Sequence, residues 1–257
     1  MLTFENVTLA FGGLTAINQL SFTVREGQIY SLIGPNGAGK TTTFNCINRL
    51  YTPHFGHIRF QGEDIGGYKP YQIISLGIAR SFQNVELFSK MSVIDNLLTG
   101  LHPAIKQNPF AIAFRLPSFR KSERAARNRA EEVLELLGLS QMAGEEVRNL
   151  PFGYQKMVDI GRALMTKPKL LLLDEPVAGM NPTETEHLGG LIRRLREEMG
   201  ITVLLIEHDM SLVMNISDYI TVMNFGRKIA EGLPHEVQQN QEVIEAYLGE
   251  VETGAGH

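Results

Sequence analysis

The stretch Gly34-Pro35-Asn36-Gly37-Ala38-Gly39-Lys40-Thr41 has a glycine, four residues and then Gly-Lys-Thr, the complete spacing of a phosphate-cradling loop. Before it, Gln28 to Ile33 is a short apolar run that reads as a strand. After it, Lys40 to Asn48 lacks Gly and Pro and reads as a helix. The competing reading, a Gly-rich turn between two elements, leaves the full pattern in this strand-loop-helix context unexplained. Such a loop works by geometry. Its glycines let backbone N–H groups turn inward around phosphates, and the helix N-terminus adds the positive end of its dipole. The nucleotide-binding set is therefore Gly34 to Thr41 with Thr42. Lys40 is expected to reach the β and γ phosphates, and the Thr41 hydroxyl to hold Mg²⁺.

The chain has 257 residues, 43% of them hydrophobic and 20% charged, with a formal net charge of −4. That charge gives no reason to expect nucleic acid as a partner. The aliphatic runs, of which Leu170 to Leu173 is typical, fall far short of the roughly 20 apolar residues of a membrane span. Met1 to Glu5 lacks the basic and apolar regions of a signal peptide. The single cysteine, Cys46, forms no internal disulfide and reads as a buried packing residue just after the phosphate loop.

Outward from the loop, Leu2 to Ala10 and Leu20 to Val24 read as strands separated by a turn at Phe11-Gly12-Gly13. Phe11 is either a core aromatic or a platform for a nucleobase; spacing alone leaves both open. Gly56 to Phe60 reads as a strand, Tyr71 to Ser75 as a short helix, and Ile78 to Phe82 as an extended run ending at Gln83. Residues 84–150 then change character. Val93 to Leu101 and Ser122 to Leu137 are helical, with Ala130, Val133, Leu134 and Leu137 on one face, around an irregular Pro103 to Ser118. This block reads as a helical subdomain inserted into an α/β core of residues 1–83 and 151–257. Its run Lys106, Arg115, Arg120, Lys121, Arg124, Arg127 and Arg129 is either a solvated helix face or, with Phe110, Ile112, Phe114 and Leu116, a contact for anionic lipid or an acidic partner.

Pro151 to Tyr154 reads as a turn and Gln155 to Thr166 as a helix. Lys169 to Leu173 is a buried strand closing on Asp174-Glu175-Pro176, Pro182 to Glu198 a helix, and Ile201 to Ile206 a second buried strand closing on Glu207-His208-Asp209. Tyr219 to Asn224 and Lys228 to Ala230 form a last pair, Glu236 to Leu248 a final helix, and Glu250 to His257 a frayed tail. Strand, helix and strand with short links imply a parallel sheet, whose ligands bind beyond the strand carboxyl ends. The phosphate loop, Gln83, Asp174-Glu175 and His208 all belong at those ends. Asp174 is suited to holding Mg²⁺ and Glu175 to polarising the attacking water. His208 is suited to donating to a phosphate oxygen, and Gln83 to liganding Mg²⁺ or orienting water.

From Leu2 to Leu248 these residues, in this order, resemble an ATP-binding-cassette (ABC) ATPase. The resemblance implies a P-loop NTPase α/β core with a parallel sheet, an N-terminal antiparallel β portion and the inserted helical subdomain. It further implies that Phe11 stacks on adenine and that Leu150 to Gln155 is the signature segment. In that family the segment, here Pro151, Phe152, Gly153 and Tyr154, sits at a helix N-terminus and caps the γ phosphate of ATP on the opposite subunit. Ala178 to Asn181 matches the loop that crosses the dimer interface. Three positions depart from the common pattern: Pro151 and Phe152 stand where Ser and Gly are usual, and Asn181 where many relatives carry Asp. Asn149 to Gln155, Glu175 to Pro182 and Pro103 to Ser118 further resemble the ATP-binding subunits of branched-chain amino-acid importers. This implies ATP and Mg²⁺ as cofactors and hydrolysis coupled to transport. The implied partners are two transmembrane permease subunits, a second ATPase subunit, and indirectly a periplasmic or extracellular solute-binding protein. The implied location is the cytoplasmic face of the cell membrane. The alternative is a soluble ABC-type ATPase acting on ribosomes or DNA, whose relatives usually carry two cassettes or a long coiled coil. A kinase or GTPase would leave the signature segment and His208 unexplained.

Overall fold

The computed structural model describes residues 1–81, 86–101 and 117–254, without the side chains of 117–119 and 249–254. Gln83 lies outside the described residues, as do Lys106, Phe110, Ile112, Phe114, Arg115 and Leu116. In chain order the elements begin with β1 (Leu2–Phe11), β2 (Leu14–Val24), β3 (Ile29–Ile33), α1 (Lys40–Ile47), β4 (Phe55–Phe60), β5 (Glu63–Asp64), α2 (Pro70–Ile73) and β6 (Ile78–Arg80). Helices α3 (Val93–Thr99), α4 (Pro117–Leu137) and α5 (Phe152–Leu164) follow, then β7 (Leu170–Asp174), α6 (Pro182–Met199) and β8 (Thr202–Ile206). The chain closes with α7 (Met210–Ile216), β9 (Tyr219–Asn224), β10 (Arg227–Gly232), α8 (Pro234–Gln238) and α9 (Gln241–Gly254).

The sequence departs from expectation mainly at element ends. β2 starts at Leu14 because a two-residue turn, with Gly12 at φ +57°, pairs Phe11 directly with Leu14. The imperfect alternation of β1 has a cause: its register shifts between Phe4 and Val7, where Asn6 takes φ +50° and its N–H bonds Ser21 Oγ. The expected last helix is two helices, broken where Asn240 Oδ1 accepts from Glu242 N and Val243 N and starts α9 afresh. α9 continues to Gly254, so residues 250–254 are helical rather than frayed. α7 had no sequence expectation; Asp209 caps it by accepting from Leu212 N.

Two sheets carry the fold. One is antiparallel, in the order β2-β1-β4-β5; the other runs β10-β9-β3-β8-β7-β6, with β9, β3, β8, β7 and β6 parallel and β10 antiparallel at the edge. Side chains alternate across a strand, and β7 uses both directions. Leu170 and Leu172 pack with Phe4, Phe22, Tyr30 and Phe44 toward the antiparallel layer. Leu171 and Leu173 pack with Val133, Leu137, Ile160 and Leu191 toward the helices. A strand buried on both faces has to be a continuous apolar run, which is why four leucines stand in succession. α3, α4 and α5 share this second core with the sheet.

Cys46 is fully buried, and burial pushes its thiol up to about 12, as a packing role requires. The basic run of α4 is not uniform. Arg127 is exposed, whereas Arg129 turns inward to donate to Leu164 O at 3.0 Å, capping the C-terminal end of α5. Leu172→Ala removes a side chain from the interface of both sheets and is expected to cost about 2–5 kcal/mol. Chemical denaturation checks it; a loss under about 1 kcal/mol would mean that the central strand is not packed as described.

Candidate nucleotide-binding and hydrolysis site

The phosphate loop joins β3 to α1 and is built against two backbone oxygens. At Gly34, φ is +148° and a Cβ would sit 2.0 Å from Met223 O; at Gly39, φ is +101° and a Cβ would sit 2.4 Å from Ala16 O. No other residue fits either position. Gly226 N donates to Ala38 O at 3.0 Å and Asn18 N to Gly226 O at 2.8 Å, tying the loop to the β9–β10 hairpin and to β2. Lys40 is buried, and its Nζ donates to Gly34 O (2.7 Å) and Pro35 O (3.0 Å), so the charge lies over the loop it follows. Asn36, Gly37 and Thr41 face solvent, Thr42 is half-buried, and the first turn of α1 holds no acid to oppose the helix dipole. Phe11 is 45% exposed at the end of β1 and meets the Tyr51 ring edge-on at 5.0 Å.

Asp174 ends β7 and is buried. Its Oδ2 accepts from Arg80 Nη2 of β6 at 2.6 Å, while its Oδ1 has no hydrogen-bond partner among the described residues. Burial pushes this carboxyl above the usual carboxylate range, and Arg80 opposes the rise. Arg80 is itself held, donating to Asn45 Oδ1 of α1 at 2.8 Å and lying 5.6 Å from the Phe44 ring centroid. Sequence reasoning missed Arg80, although it stands three residues before Gln83. Glu175 takes the left-handed conformation, φ +47°, with its N–H on Ile206 O at 2.9 Å. Non-glycine residues hold that strained conformation where the surrounding structure enforces it, characteristically at functional sites. His208 follows β8 with its side chain 62% exposed and its Nδ1 3.8 Å from Glu207 Oε2.

The expected signature segment packs on the loop that follows Glu175. The expected turn over Pro151 to Tyr154 is instead the start of α5: Pro151, at φ −52°, is the N-cap and Phe152, Gly153 and Tyr154 form the first turn. Proline's fixed φ presets this start, and no side chain caps the free N–H groups there. A Cβ on Gly153 would meet Glu184 Oε1 at 2.8 Å, and one on Gly179 would meet the Phe152 ring at 3.2 Å, so the segment packs on 178–184 of its own chain. Asn181 caps α6: its Oδ1 accepts from Glu184 N at 3.0 Å, and Glu184 Oε2 accepts from Asn181 N at 3.0 Å.

Residues 17–178 match the family described as "ABC transporter". The chain belongs to the ABC transporter ATPase family. Residues 227–253 match a second family, "Branched-chain amino acid ATP-binding cassette transporter". The cassette is 47% identical over 250 residues to the high-affinity branched-chain amino acid transport ATP-binding protein BraF of Pseudomonas aeruginosa, covering 97% of this chain and 98% of that one. It is 44% identical over 250 residues to the high-affinity branched-chain amino acid transport ATP-binding protein LivG of Escherichia coli K12, with the same coverage, 97% and 98%. Among solved structures it superposes on the ADP conformation of an ATP-binding cassette of an ABC transporter with a TM-score of 0.85, at 34% identity, covering 97% of this chain and 98% of that one. The fold expected of an ABC ATPase is therefore the fold found.

Gly39→Ala is expected to weaken ATP binding more than tenfold, because the loop has to move off Ala16 O to admit the methyl group. Isothermal titration checks this, and unchanged affinity would contradict the described loop.

Proposed function

We propose that this cassette is the ATP-hydrolysing subunit of an importer of branched-chain or related amino acids, and that the residues gathered at the carboxyl ends of β3, β7 and β8 perform the hydrolysis. The observation that carries the site assignment is Asp174, a buried carboxylate with one oxygen held by Arg80 and the other without a partner. A buried charged oxygen is costly unless something coordinates it. Magnesium takes oxygen ligands, needs few from protein and binds beside substrate phosphates. Asp174 and the Thr41 hydroxyl fit that ion, with Gln83 as the third residue assigned to it. Held there, the ion would supply charge neutralisation to the phosphates.

The chain's own groups do the rest. The loop Gly34 to Thr42 holds the phosphates through its backbone N–H groups, Pro35 excepted because proline has none, Lys40 neutralises the β and γ oxygens, and Phe11, set edge-on to Tyr51, stacks on adenine. Glu175 accepts a proton from the attacking water, and His208 donates to the γ phosphate as charge develops. Pro151, Phe152, Gly153 and Tyr154 offer the first-turn N–H groups of α5 to ATP on the opposite subunit. The serine hydroxyl common in the family is absent here, but the N–H donors do not depend on it. Asn181 lies at the same interface.

Two ATPase subunits, identical or sister chains, close on two ATP molecules and open after hydrolysis. Residues 84–150, as an inserted helical subdomain, pass that motion with Gln83 to two permease subunits. Under this reading the cassette lies on the cytoplasmic face of the cell membrane through its permease contacts, and a solute-binding protein delivers the amino acid. No helix among the described residues is long and apolar enough to cross a membrane. A soluble ABC ATPase serving ribosomes or DNA is not favoured, since relatives matching nearly the whole chain are transport proteins.

Glu175→Gln is expected to bind ATP normally while hydrolysis falls at least about 100-fold and an ATP-bound dimer accumulates. Steady-state ATPase assay with size-exclusion chromatography checks this; ordinary turnover by the variant would remove Glu175 from the base role.

A further inference from the structure

Glu207 directly follows β8 and is fully buried, yet nothing in the hydrolytic scheme uses it. A strand can end on any polar residue, so burying a carboxylate there needs a reason. Its contacts supply one. Oε1 accepts from Val177 N at 3.0 Å, and Oε2 accepts from His208 N at 2.9 Å and Asp209 N at 3.2 Å. Val177 lies two residues beyond Glu175 in the loop leading to Ala178-Gly179-Met180-Asn181, and His208 is the next residue in its own chain segment. One carboxylate thus bridges two loops, each carrying a hydrolytic residue, through charge-assisted bonds to backbone.

The surroundings offset part of the cost of burying that carboxylate. Burial pushes the Glu207 carboxyl upward, while the N–H groups of Val177, Asp209 and His208, and the His208 ring, pull it back. The Lys156 ammonium, on α5, is buried 5.7 Å from the Phe152 ring centroid; burial holds its pKa below the usual lysine value, and Asp159, Glu207, Glu175 and Asp174 oppose that fall.

We infer that Glu207 is a positioning residue for ATP hydrolysis, fixing the loop that carries Glu175 and the loop that carries His208 at one mutual spacing. The inference rests on the assignment of those two residues above. It depends on both carboxylate oxygens. Glutamine keeps the size but has one acceptor oxygen, so it can serve Val177 or the His208–Asp209 pair and turns its NH₂ toward the other. Aspartate keeps the charge but is one methylene shorter, so it reaches one loop only.

The test uses the cassette in its assembled transporter, comparing Glu207→Gln, Glu207→Asp and Glu175→Gln with the native chain. Because displacing a catalytic group by about 1 Å costs on the order of 100-fold, kcat of both Glu207 variants is expected to fall about 10- to 100-fold. KM for ATP should stay within about threefold, Tm should fall by no more than about 4 °C, and ATP-bound closed dimers should accumulate. A kcat within about twofold of native in both, with Glu175→Gln inactive, would overturn the inference alone. Parallel losses of kcat, ATP affinity and Tm in both variants would overturn it too, by making Glu207 a stability element. Normal turnover by Glu175→Gln would instead overturn the hydrolytic assignment on which the inference stands.

Discussion

The site depends on a register. In the parallel sheet Leu32 of β3 pairs with Ile206 of β8, and Ile206 with Asp174 of β7, so three strands end level with one another. Adjacent strands lie about 4.8 Å apart, which spreads the phosphate loop, the His208 loop and Asp174 across about 10 Å of one sheet edge. That is the scale of a triphosphate with its metal ion. A one-residue slip of β7 would turn the Asp174 side chain to the helical face and separate it from Arg80. The leucines of β7, buried on both faces, are what make such a slip costly. The strand that anchors both cores, Leu170 to Asp174, thus also carries the carboxylate proposed to hold the metal ion.

Departures in the signature segment follow a compensating pattern. Proline at 151 offers no hydroxyl and presets the helix start, and no side chain caps the N–H groups of the first turn. Phe152, in place of glycine, lies against Gly179 and beneath Lys156, which fixes the first turn to the loop that precedes α6. Asn181 carries no charge but caps α6 through Oδ1.

Much of this was legible in the sequence because ligand-touching groups come in fixed spacings and buried strands in apolar runs. The phosphate loop, the buried run into Asp174 and the parallel character of the sheet could all be read directly. Arg80 and Glu207 could not. Their partners are a carboxylate on a neighbouring strand and backbone N–H groups of two loops, and neither relation leaves a local pattern. The start of α5 was misplaced because proline followed by an aromatic and glycine also spells a turn; the packing of Gly153 on Glu184 decides for helix. Arg129 read as one more surface charge on α4, and only the proximity of the α5 C-terminus turns it inward.

The central claim is that this site powers a membrane importer through chains it does not itself contain. The most direct test is to purify the tagged protein from its native membranes in mild detergent and identify what accompanies it. The account predicts two hydrophobic permease chains and a second ATP-binding cassette. Ribosomal or DNA-processing partners, with no permease, would contradict it.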